Sequence, residues 1–244
     1  MEGRQSTTIV AINEEAYGVE LNRATIKHEE SKMKLRPHPA KYTNCLIPEI
    51  NKLLGRAEYI LDPFAGTGKI FSLGNHLKIK AVELEPEWAA YDKRIILGNA
   101  LSLPFEGETF DGVVTSPCYG NRMADSFNAK DSTKRNTYHH ALGRKPSEGS
   151  AAILQWGPGY KEFHEKAWKE VRRVLKNNGV FILNIKNHIR NGVEQDVTQW
   201  HINCLVELGF LYSAHEKVKT PSNRFGANGS KRISYESLVK FVKK

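Results

Sequence analysis

Three features are scarce in this sequence: cysteine, acidic side chains and long hydrophobic runs. Cys45, Cys118 and Cys204 are the only cysteines among the 244 residues, and their spacing fits neither a disulfide framework nor a zinc site. No apolar run approaches the roughly 20 residues that cross a membrane. The first ten residues also lack the apolar core of a secretion signal. We therefore expect a cytoplasmic protein with no membrane contact and no metal.

Basic residues outnumber acidic ones, which bears on the binding partner. The chain has 36 lysines and arginines against 27 aspartates and glutamates, a formal net charge of +9. Much of the excess lies in residues 121–145 and 217–244. Such segments can bind nucleic-acid phosphates, although a solvated, disordered segment has the same composition. The charge favours a nucleic-acid partner if both segments flank an active site.

Hydrophobic patterns predict strands that alternate with helices. Strands are predicted in AEYILDPF, IKAVELEP, RIILGNA, FDGVVTSP and VFILNIKN, and the tail after Gly209 predicts a closing pair of strands. Helices are predicted in LIPEINKLL, PEWAAYDKR, YKEFHEKAWKEVRRVLKNNG and VTQWHINCLVELG, with Gly55 ending the first and Gly179 the third. This alternation predicts an α/β fold, a mostly parallel sheet covered by helices on both faces.

The same patterns suggest how the chain is organised. Residues 1–35 are polar and predict a peripheral N-terminal extension, and residues 36–244 predict one domain. Within it, residues 120–160 lack periodicity and are rich in glycine, serine, asparagine and lysine. A loop of that length is usually functional or disordered. Because its basic residues follow a predicted strand end, we expect it to be a target-recognition loop.

Polar groups follow three successive predicted strands, where parallel sheets bind ligands. Asp62 opens a turn that contains Gly66 and Gly68, and glycines let a ligand approach the backbone closely. The turn lacks the lysine of a phosphate-binding loop, and a phenylalanine replaces the third glycine of the dinucleotide fingerprint. Glu83 can accept both hydroxyl hydrogens of a ribose, and Asn99 can hydrogen-bond an adenine edge.

The motifs DPFAGTG, AVELEPEW, GNALSLPF and TSPCY occur in that order and resemble those of amino-group DNA methyltransferases, which carry a D/S/N-P-P-Y signature. HPAKYT is similar to the segment that closes over the methionine part of the cofactor in that family. The likeness covers residues 36–119 and continues weakly through VFILNIKNHIR. It implies a Rossmann-like class I methyltransferase fold with a seven-stranded sheet, and S-adenosylmethionine as cofactor. The implied cofactor-binding residues are Thr43, Asp62, Phe64, Gly66, Gly68, Glu83 and Asn99.

The TSPCY segment supplies the predicted catalytic groups. The lone pair of an exocyclic base amine is delocalised into the ring, which makes the nitrogen a poor nucleophile. Groups that accept the amine hydrogens favour a pyramidal, more reactive nitrogen. The side chain of Ser116 and the carbonyl of Pro117 can accept them, while Tyr119 can stack on a base flipped out of the helix. The expected reaction is methylation of cytosine N4 or adenine N6 in DNA. The same chemistry on RNA is the first alternative.

Cys118 stands where the family usually has a second proline, which raises another alternative. A cysteine after proline is the nucleophile of enzymes that methylate cytosine at carbon 5, so Cys118 is also a candidate catalytic residue. A third alternative is a basic nucleic-acid-binding module without activity. For target binding, the sequence predicts contacts from the loop after Tyr119, through Asn121, Arg122, Lys134, Arg135 and Arg144.

Overall fold

A sheet organises the part of the chain that the computed structural model describes, residues 38–39, 43–126, 128, 137–221 and 231–244. Its strands are β1 (Tyr59–Asp62), β2 (Lys78–Glu83), β3 (Ile95–Leu97), β4 (Phe110–Thr115), β5 (Leu175–Ile185), β8 (Phe210–Lys219) and β9 (Tyr235–Lys243). A separate pair is β6 (His188–Arg190) with β7 (Val193–Gln195). The α-helices are α1 (Leu46–Leu54), α2 (Pro86–Ala89), α3 (Tyr138–Leu142), α4 (Pro158–Val174) and α5 (Val197–Glu207). The predicted extension 1–35 lies outside the described residues.

The strand order is β3-β2-β1-β4-β5-β9-β8, with β1 to β5 parallel and β9 antiparallel to both of its neighbours. Two apolar clusters cover its two faces. One contains Trp168 of α4 and Leu205 of α5, and the other contains Leu46 and Ile50 of α1. The prediction of a mostly parallel seven-stranded sheet between helices is therefore confirmed. Among the described helices, none has the length and apolar character that a bilayer requires.

Helix α4 ends earlier than the sequence pattern predicted. The glycine stop was placed at Gly179, but the helix ends at Val174, and Leu175 adopts an extended conformation with φ −82° and ψ 135°. Leu175 is fully buried and pairs with Phe110 of β4. The register then shifts so that Gly112 pairs with Val180, and the intervening residues bulge. Sheet pairing therefore prevails over the helical pattern.

The hairpin of β6 and β7 was not predicted. Asn191 and Gly192 form its two-residue turn, with φ values of 52° and 77°. Positive φ at both central residues is typical of a hairpin turn, and Asn-Gly is the sequence that favours it. The dipeptide between HIR and VEQ was the signal that sequence reasoning missed.

The predicted loop at 120–160 contains regular structure in its described part. Helix α3 begins after Thr137, whose hydroxyl oxygen accepts the backbone N–H of His140. Tyr138 and Ala141 pack in a small cluster with Trp88. Short 3-10 helices cover Arg122–Ala124 and Ala151–Ile153. These residues are therefore anchored to the sheet rather than forming an unstructured loop.

Candidate active site

The turns after β1 and β4 line one cleft at the carboxyl end of the sheet. Residues 63–67 form one wall, and Ser116 and Cys118 belong to another. The space between the residues that line the cleft amounts to about 810 Å³, a volume that includes space open to solvent. Further lining residues are His38, Lys69, Glu83, Leu84, Trp88, Asn99, Ala100, Tyr138, Gly149, Ser150, Ala151, Ala152 and Phe163. The two motifs predicted to act together therefore face the same space.

Glu83 braces the first turn from the end of β2. Its Oε2 accepts the backbone N–H of Gly66 at 2.8 Å, and its Oε1 accepts the backbone N–H of Glu85 at 2.8 Å. Gly66 has a left-handed backbone with φ 55°, and a Cβ there would lie 3.3 Å from the ring of His38. Burial raises the pKa of Glu83 to about 7. Each carboxylate oxygen has a second lone pair for a ligand hydroxyl.

Asn99 presents an amide donor to the cleft. Its Oδ1 accepts the backbone N–H of Leu101 at 2.9 Å, which fixes the side chain at the end of β3. Its Nδ2 lies 3.4 Å from the position that a Cβ of Gly149 would take. Glycine at 149 therefore keeps space open beside this donor. A ring nitrogen of an adenine would suit that donor as an acceptor.

Three predicted cofactor residues do not line the cleft. Asp62 joins the ends of β1 and β4, since its Oδ1 accepts the Thr115 hydroxyl at 2.7 Å and the Phe64 N–H at 3.1 Å. Gly68 has φ 80°, and a Cβ there would lie 2.9 Å from the Phe71 ring, so packing requires the glycine. The Thr43 carbonyl accepts the Leu46 N–H where α1 begins. Their positions indicate supporting roles, whereas Phe64, Gly66, Glu83 and Asn99 do line the cleft.

His38 was missed as a cleft residue although it lies in the HPAKYT segment. Its ring packs edge-to-face on Trp88, with centroids 4.2 Å apart, and it lines the cleft in place of Thr43. Residues 40–42 of that segment lie outside the described residues. The segment therefore reaches the cleft through His38, and a cofactor contact of Thr43 stays a prediction.

Hydrogen bonds join the second turn to β5 and β9. Ser116 Oγ lies 2.8 Å from the Tyr119 hydroxyl. Asn184 Nδ2 donates to Oε2 of Glu236 at 2.9 Å and to Ser116 Oγ at 3.2 Å. Burial, and then the charge of Glu236, raises the pKa of Tyr119 well above its ordinary value. Pro117 and Tyr119 are not among the residues that line the cleft, and the Tyr119 hydroxyl belongs to this cluster. The acceptor role of the Pro117 carbonyl and the stacking of Tyr119 on a base stay predictions.

A buried series of hydrogen bonds between side chains fixes the backbone carbonyl of Cys118. The Trp168 indole N–H donates to Nδ1 of His201 at 3.0 Å, so this nitrogen carries no hydrogen. His201 is buried, which lowers its pKa well below the ordinary value and keeps it neutral. Its hydrogen is therefore on Nε2, which donates to the Tyr160 hydroxyl at 2.9 Å. Tyr160 in turn donates to the Cys118 carbonyl at 2.9 Å.

Solved structures with this architecture include a protein from Pyrococcus horikoshii OT3, at 19% identity over 82% of this chain and 88% of that chain, with a TM-score of 0.51. An S-adenosylmethionine-dependent methyltransferase from Methanosarcina mazei is 13% identical over 80% of this chain and 97% of that chain, with a TM-score of 0.53. Geranyl diphosphate methyltransferase in complex with GPP and sinefungin is 11% identical over 82% of this chain and 77% of that chain, with a TM-score of 0.51. This chain has the class I methyltransferase fold.

At these identities the likeness is one of fold alone. The [4+2]-cyclase SpnF also shares the architecture, at 13% identity over 81% of this chain and 80% of that chain, with a TM-score of 0.50. No protein-family model matches the sequence, and no curated protein matches it. The methyltransferase fold therefore gives the location of the cleft, and the chemistry has to be inferred from the side chains in it.

Arg144 has a different role in this methyltransferase fold from the phosphate contact that was predicted. Its guanidinium donates to Oε2 of Glu85 at 2.7 Å and to both carboxylate oxygens of Glu87, at 2.6 and 2.5 Å. Glu85 is almost fully buried and also accepts the N–H and hydroxyl of Ser147. The charge of Arg144 therefore attaches the loop to the segment after β2, and its contact with nucleic acid stays a prediction.

The other predicted target-binding residues gain no support from the structure. Asn121 accepts the backbone N–H of Met123 at 2.9 Å and so stabilises the short 3-10 helix. The side chain of Arg122 lies outside the described residues, as do Lys134 and Arg135 entirely. The contacts of these last three with nucleic acid stay predictions.

The thiol of Cys118 lines the cleft but is not activated. Burial raises its pKa to about 12, and it forms a hydrogen bond with the Tyr138 side chain. A nucleophilic cysteine needs a lowered pKa, which a nearby cation or helix amino terminus would provide. The surroundings of Cys118 therefore argue against the cytosine carbon-5 alternative. Across the described residues, no cluster of three or more metal-ligating side chains is present.

Proposed function

We propose that this protein transfers a methyl group from S-adenosylmethionine to an exocyclic amino group of a DNA base, cytosine N4 or adenine N6. The supporting observation is the shared cleft, which is lined both by the glycine turn at 63–67 and by Ser116. Its lining includes a buried carboxylate, an amide donor and a hydroxyl that can accept an amine hydrogen. This combination suits a methyl donor next to an amine.

The residues that would hold the cofactor fit its chemistry. Glu83 is 9% exposed and lines the cleft, so its lone pairs are available to the two hydroxyls of a ribose. Asn99 Nδ2 would donate to the adenine, in the space that glycine at 149 leaves open. Phe64 and residues 151–152 supply apolar walls. When bound, the cofactor supplies a methyl group on a positively charged sulfur.

The acceptor side is the less specific part of the proposal. Ser116 Oγ, which lines the cleft, would accept one amine hydrogen, and this favours a pyramidal, reactive nitrogen. A nucleic-acid substrate is supported by the net charge of +9 and by the likeness of TSPCY to the amino-methyltransferase signature. The basic segment 217–244 includes Lys217 and Lys219 on β8, both exposed.

The decisive experiment offers tritiated S-adenosylmethionine with duplex DNA and with tRNA, followed by mass analysis of the nucleosides. We expect N4-methylcytosine or N6-methyladenine from the DNA. If methylated amines are found only in the tRNA, the substrate is RNA and not DNA. If calorimetry detects no binding of S-adenosylhomocysteine, the protein is instead a basic binding module.

The same assay tests the carbon-5 alternative. We expect Cys118→Ala to retain methyl transfer within roughly threefold, because a thiol with a pKa of about 12 supplies no nucleophile. Cys204→Ala, at a buried cysteine of helix α5, is the matched control. Complete loss of transfer in a folded Cys118→Ala protein, with 5-methylcytosine as the wild-type product, would restore that alternative.

A further inference from the structure

A path of oxygen atoms leads from the cleft to a carboxylate behind the second turn. Ser116 lines the cleft, and its Oγ lies 2.8 Å from the Tyr119 hydroxyl. The Tyr119 hydroxyl lies 3.4 Å from Oε2 of Glu236, which is near the start of β9. The second distance is long for an O–H···O hydrogen bond, and Asn184 Nδ2 lies within 3.3 Å of both oxygens.

Hydrogen-bond chemistry gives the path a direction. An ionised carboxylate only accepts, so the Tyr119 hydroxyl donates to Glu236. The Tyr119 oxygen can then accept the hydroxyl hydrogen of Ser116, which leaves a lone pair of Ser116 Oγ for a hydrogen that arrives from the cleft. Every hydroxyl hydrogen along the path thus has an acceptor.

Asn184 holds the two ends of the path together. Its Nδ2 lies 2.9 Å from Oε2 of Glu236, 3.2 Å from Ser116 Oγ and 3.3 Å from the Tyr119 hydroxyl. Asn184 is 1% exposed, so the amide is fixed in the sheet. Glu236 is only partly buried, and a proton that reaches it can leave to solvent.

We propose that Ser116, Tyr119 and Glu236 carry away the proton that the amine loses on methylation, an inference that rests on the proposed function. The amine nitrogen bonds to the methyl carbon as the carbon–sulfur bond breaks, and the positive charge passes from sulfur to nitrogen. As the nitrogen–carbon bond forms, one proton moves from nitrogen to Ser116 Oγ. The Ser116 hydroxyl proton moves to Tyr119, and the Tyr119 proton moves to Glu236. The products are a neutral methylamine and a neutral carboxylic acid.

The path solves a chemical difficulty of the site. A serine hydroxyl is a poor base and cannot retain a second proton, so the proton needs a further acceptor. The cleft-lining carboxylate Glu83 already accepts two backbone N–H groups, and none of its hydrogen bonds described above joins it to Ser116. Glu236 is the carboxylate connected to Ser116 by the hydrogen bonds described above.

The test compares Tyr119→Phe and Glu236→Gln with the wild type in single-turnover methyl transfer. Each variant keeps the shape of the side chain but interrupts the path. We expect the rate constant to fall roughly 100-fold in both, with unchanged affinity for S-adenosylhomocysteine. In mixtures of light and heavy water, a plot of the wild-type rate constant against the deuterium fraction should be curved, because several protons move in the same step. The dependence should become linear in Tyr119→Phe.

Matched controls are Tyr212→Phe and Glu216→Gln, which change an exposed tyrosine and an exposed glutamate on the neighbouring strand β8. Both should behave like the wild type. Rate constants within about twofold of the wild type for the two path variants, or a loss explained entirely by weaker cofactor binding, would overturn the proposal.

A second readout requires no turnover. In the ligand-free protein labelled with carbon-13 in glutamate carboxyls, the Glu236 resonance, assigned from its absence in Glu236→Gln, should move in Tyr119→Phe and not in Tyr212→Phe. An unmoved resonance would show that the hydroxyl does not contact the carboxylate and would refute the path. If the wild type methylates no base while this resonance does move, the proposed function fails and the hydrogen-bonded path stands without its proposed role.

Discussion

The two turns that meet in the cleft are held in place by different means. The first is held largely by carboxylates close in sequence, with Gly66 and Glu83 separated by 17 positions. The second depends on distant partners, since Tyr119 and Glu236 are 117 positions apart and Tyr160 is 42 positions beyond Cys118. The cofactor side is thus a local motif, whereas the geometry of the acceptor side requires α4, α5 and β9 to be packed.

The difference leads to an asymmetry that experiments can test. Substitutions in the first turn should affect ligand affinity, because the bracing groups are also the proposed binding groups. Substitutions behind the second turn should affect stability and rate while affinity for the cofactor stays unchanged. The following predictions run from the largest expected effect to the smallest.

Glu83→Ala should have the largest effect. The change removes the proposed ribose acceptor and leaves the N–H groups of Gly66 and Glu85 without their acceptor. Since hydrogen bonds to charged groups contribute about 1.5–3 kcal/mol each, we expect affinity for S-adenosylhomocysteine to fall by about 100-fold or more in calorimetry. Glu58→Ala, at an exposed carboxylate just before β1, is the control. Equal affinity in the two variants would contradict the assignment.

The second-largest expected effect is the pH dependence of S-adenosylhomocysteine binding, which should come from Glu83 beside the first turn. Burial raises the pKa of Glu83 from 4.5 to about 7, so the folded protein binds more protons than the unfolded chain between these values. The contribution of Glu83 to stability therefore falls as pH rises through that window and is constant above it. Binding two hydroxyls favours the ionised form, so affinity should fall by up to about tenfold per pH unit below the raised pKa.

Calorimetry with S-adenosylhomocysteine across this window measures the effect. Glu83→Gln should remove the pH dependence along with most of the affinity. A dependence that persists unchanged in Glu83→Gln would assign it to another group.

Tyr160→Phe should separate stability from cofactor affinity. The change removes the donor to the Cys118 carbonyl and leaves the Nε2–H of His201 buried without an acceptor. We expect the free energy of unfolding, measured in urea, to fall by about 1–3 kcal/mol, and methyl transfer to slow. Affinity for S-adenosylhomocysteine should equal that of the Tyr212→Phe control. A matching loss of affinity would show that the two turns are coupled rather than independently braced.

Arg144→Gln should have the smallest effect. Because its guanidinium is about one-third exposed and already paired with Glu85 and Glu87, we expect a loss of about 1 kcal/mol in unfolding free energy. Affinity for duplex DNA should stay within about a factor of two of the wild type, as measured by fluorescence anisotropy. A large loss of DNA affinity at unchanged stability would return Arg144 to the predicted interface.

The comparison also explains what the sequence predicted and what it did not. Strand ends and their first polar residues, such as Glu83 and Asn99, follow from local patterns, and both line the cleft. The proximity of Asn184 to Glu236 depends on β9 lying antiparallel between β5 and β8, with Asn184 opposite Leu238. Periodicity identifies β9 as a strand but does not give its neighbours.

The ion pairs of Arg144 could not be predicted from the sequence for a related reason. An arginine in a basic loop looks the same in sequence whether it binds a phosphate or a carboxylate. Glu85 and Glu87 were visible in AVELEPEW, but only folding places them beside Arg144, which follows them by 59 and 57 positions. Counting charge by segment cannot detect such pairing.

The anchoring of Cys118 through its main-chain oxygen has a consequence for variation at this position. The carbonyl is fastened by Tyr160, while the side chain lines the cleft. Exchange of the side chain would therefore alter the dimensions of the cleft without releasing the backbone. Position 118 is a starting point for changing the selectivity proposed for this cleft, with the helices beneath it left untouched.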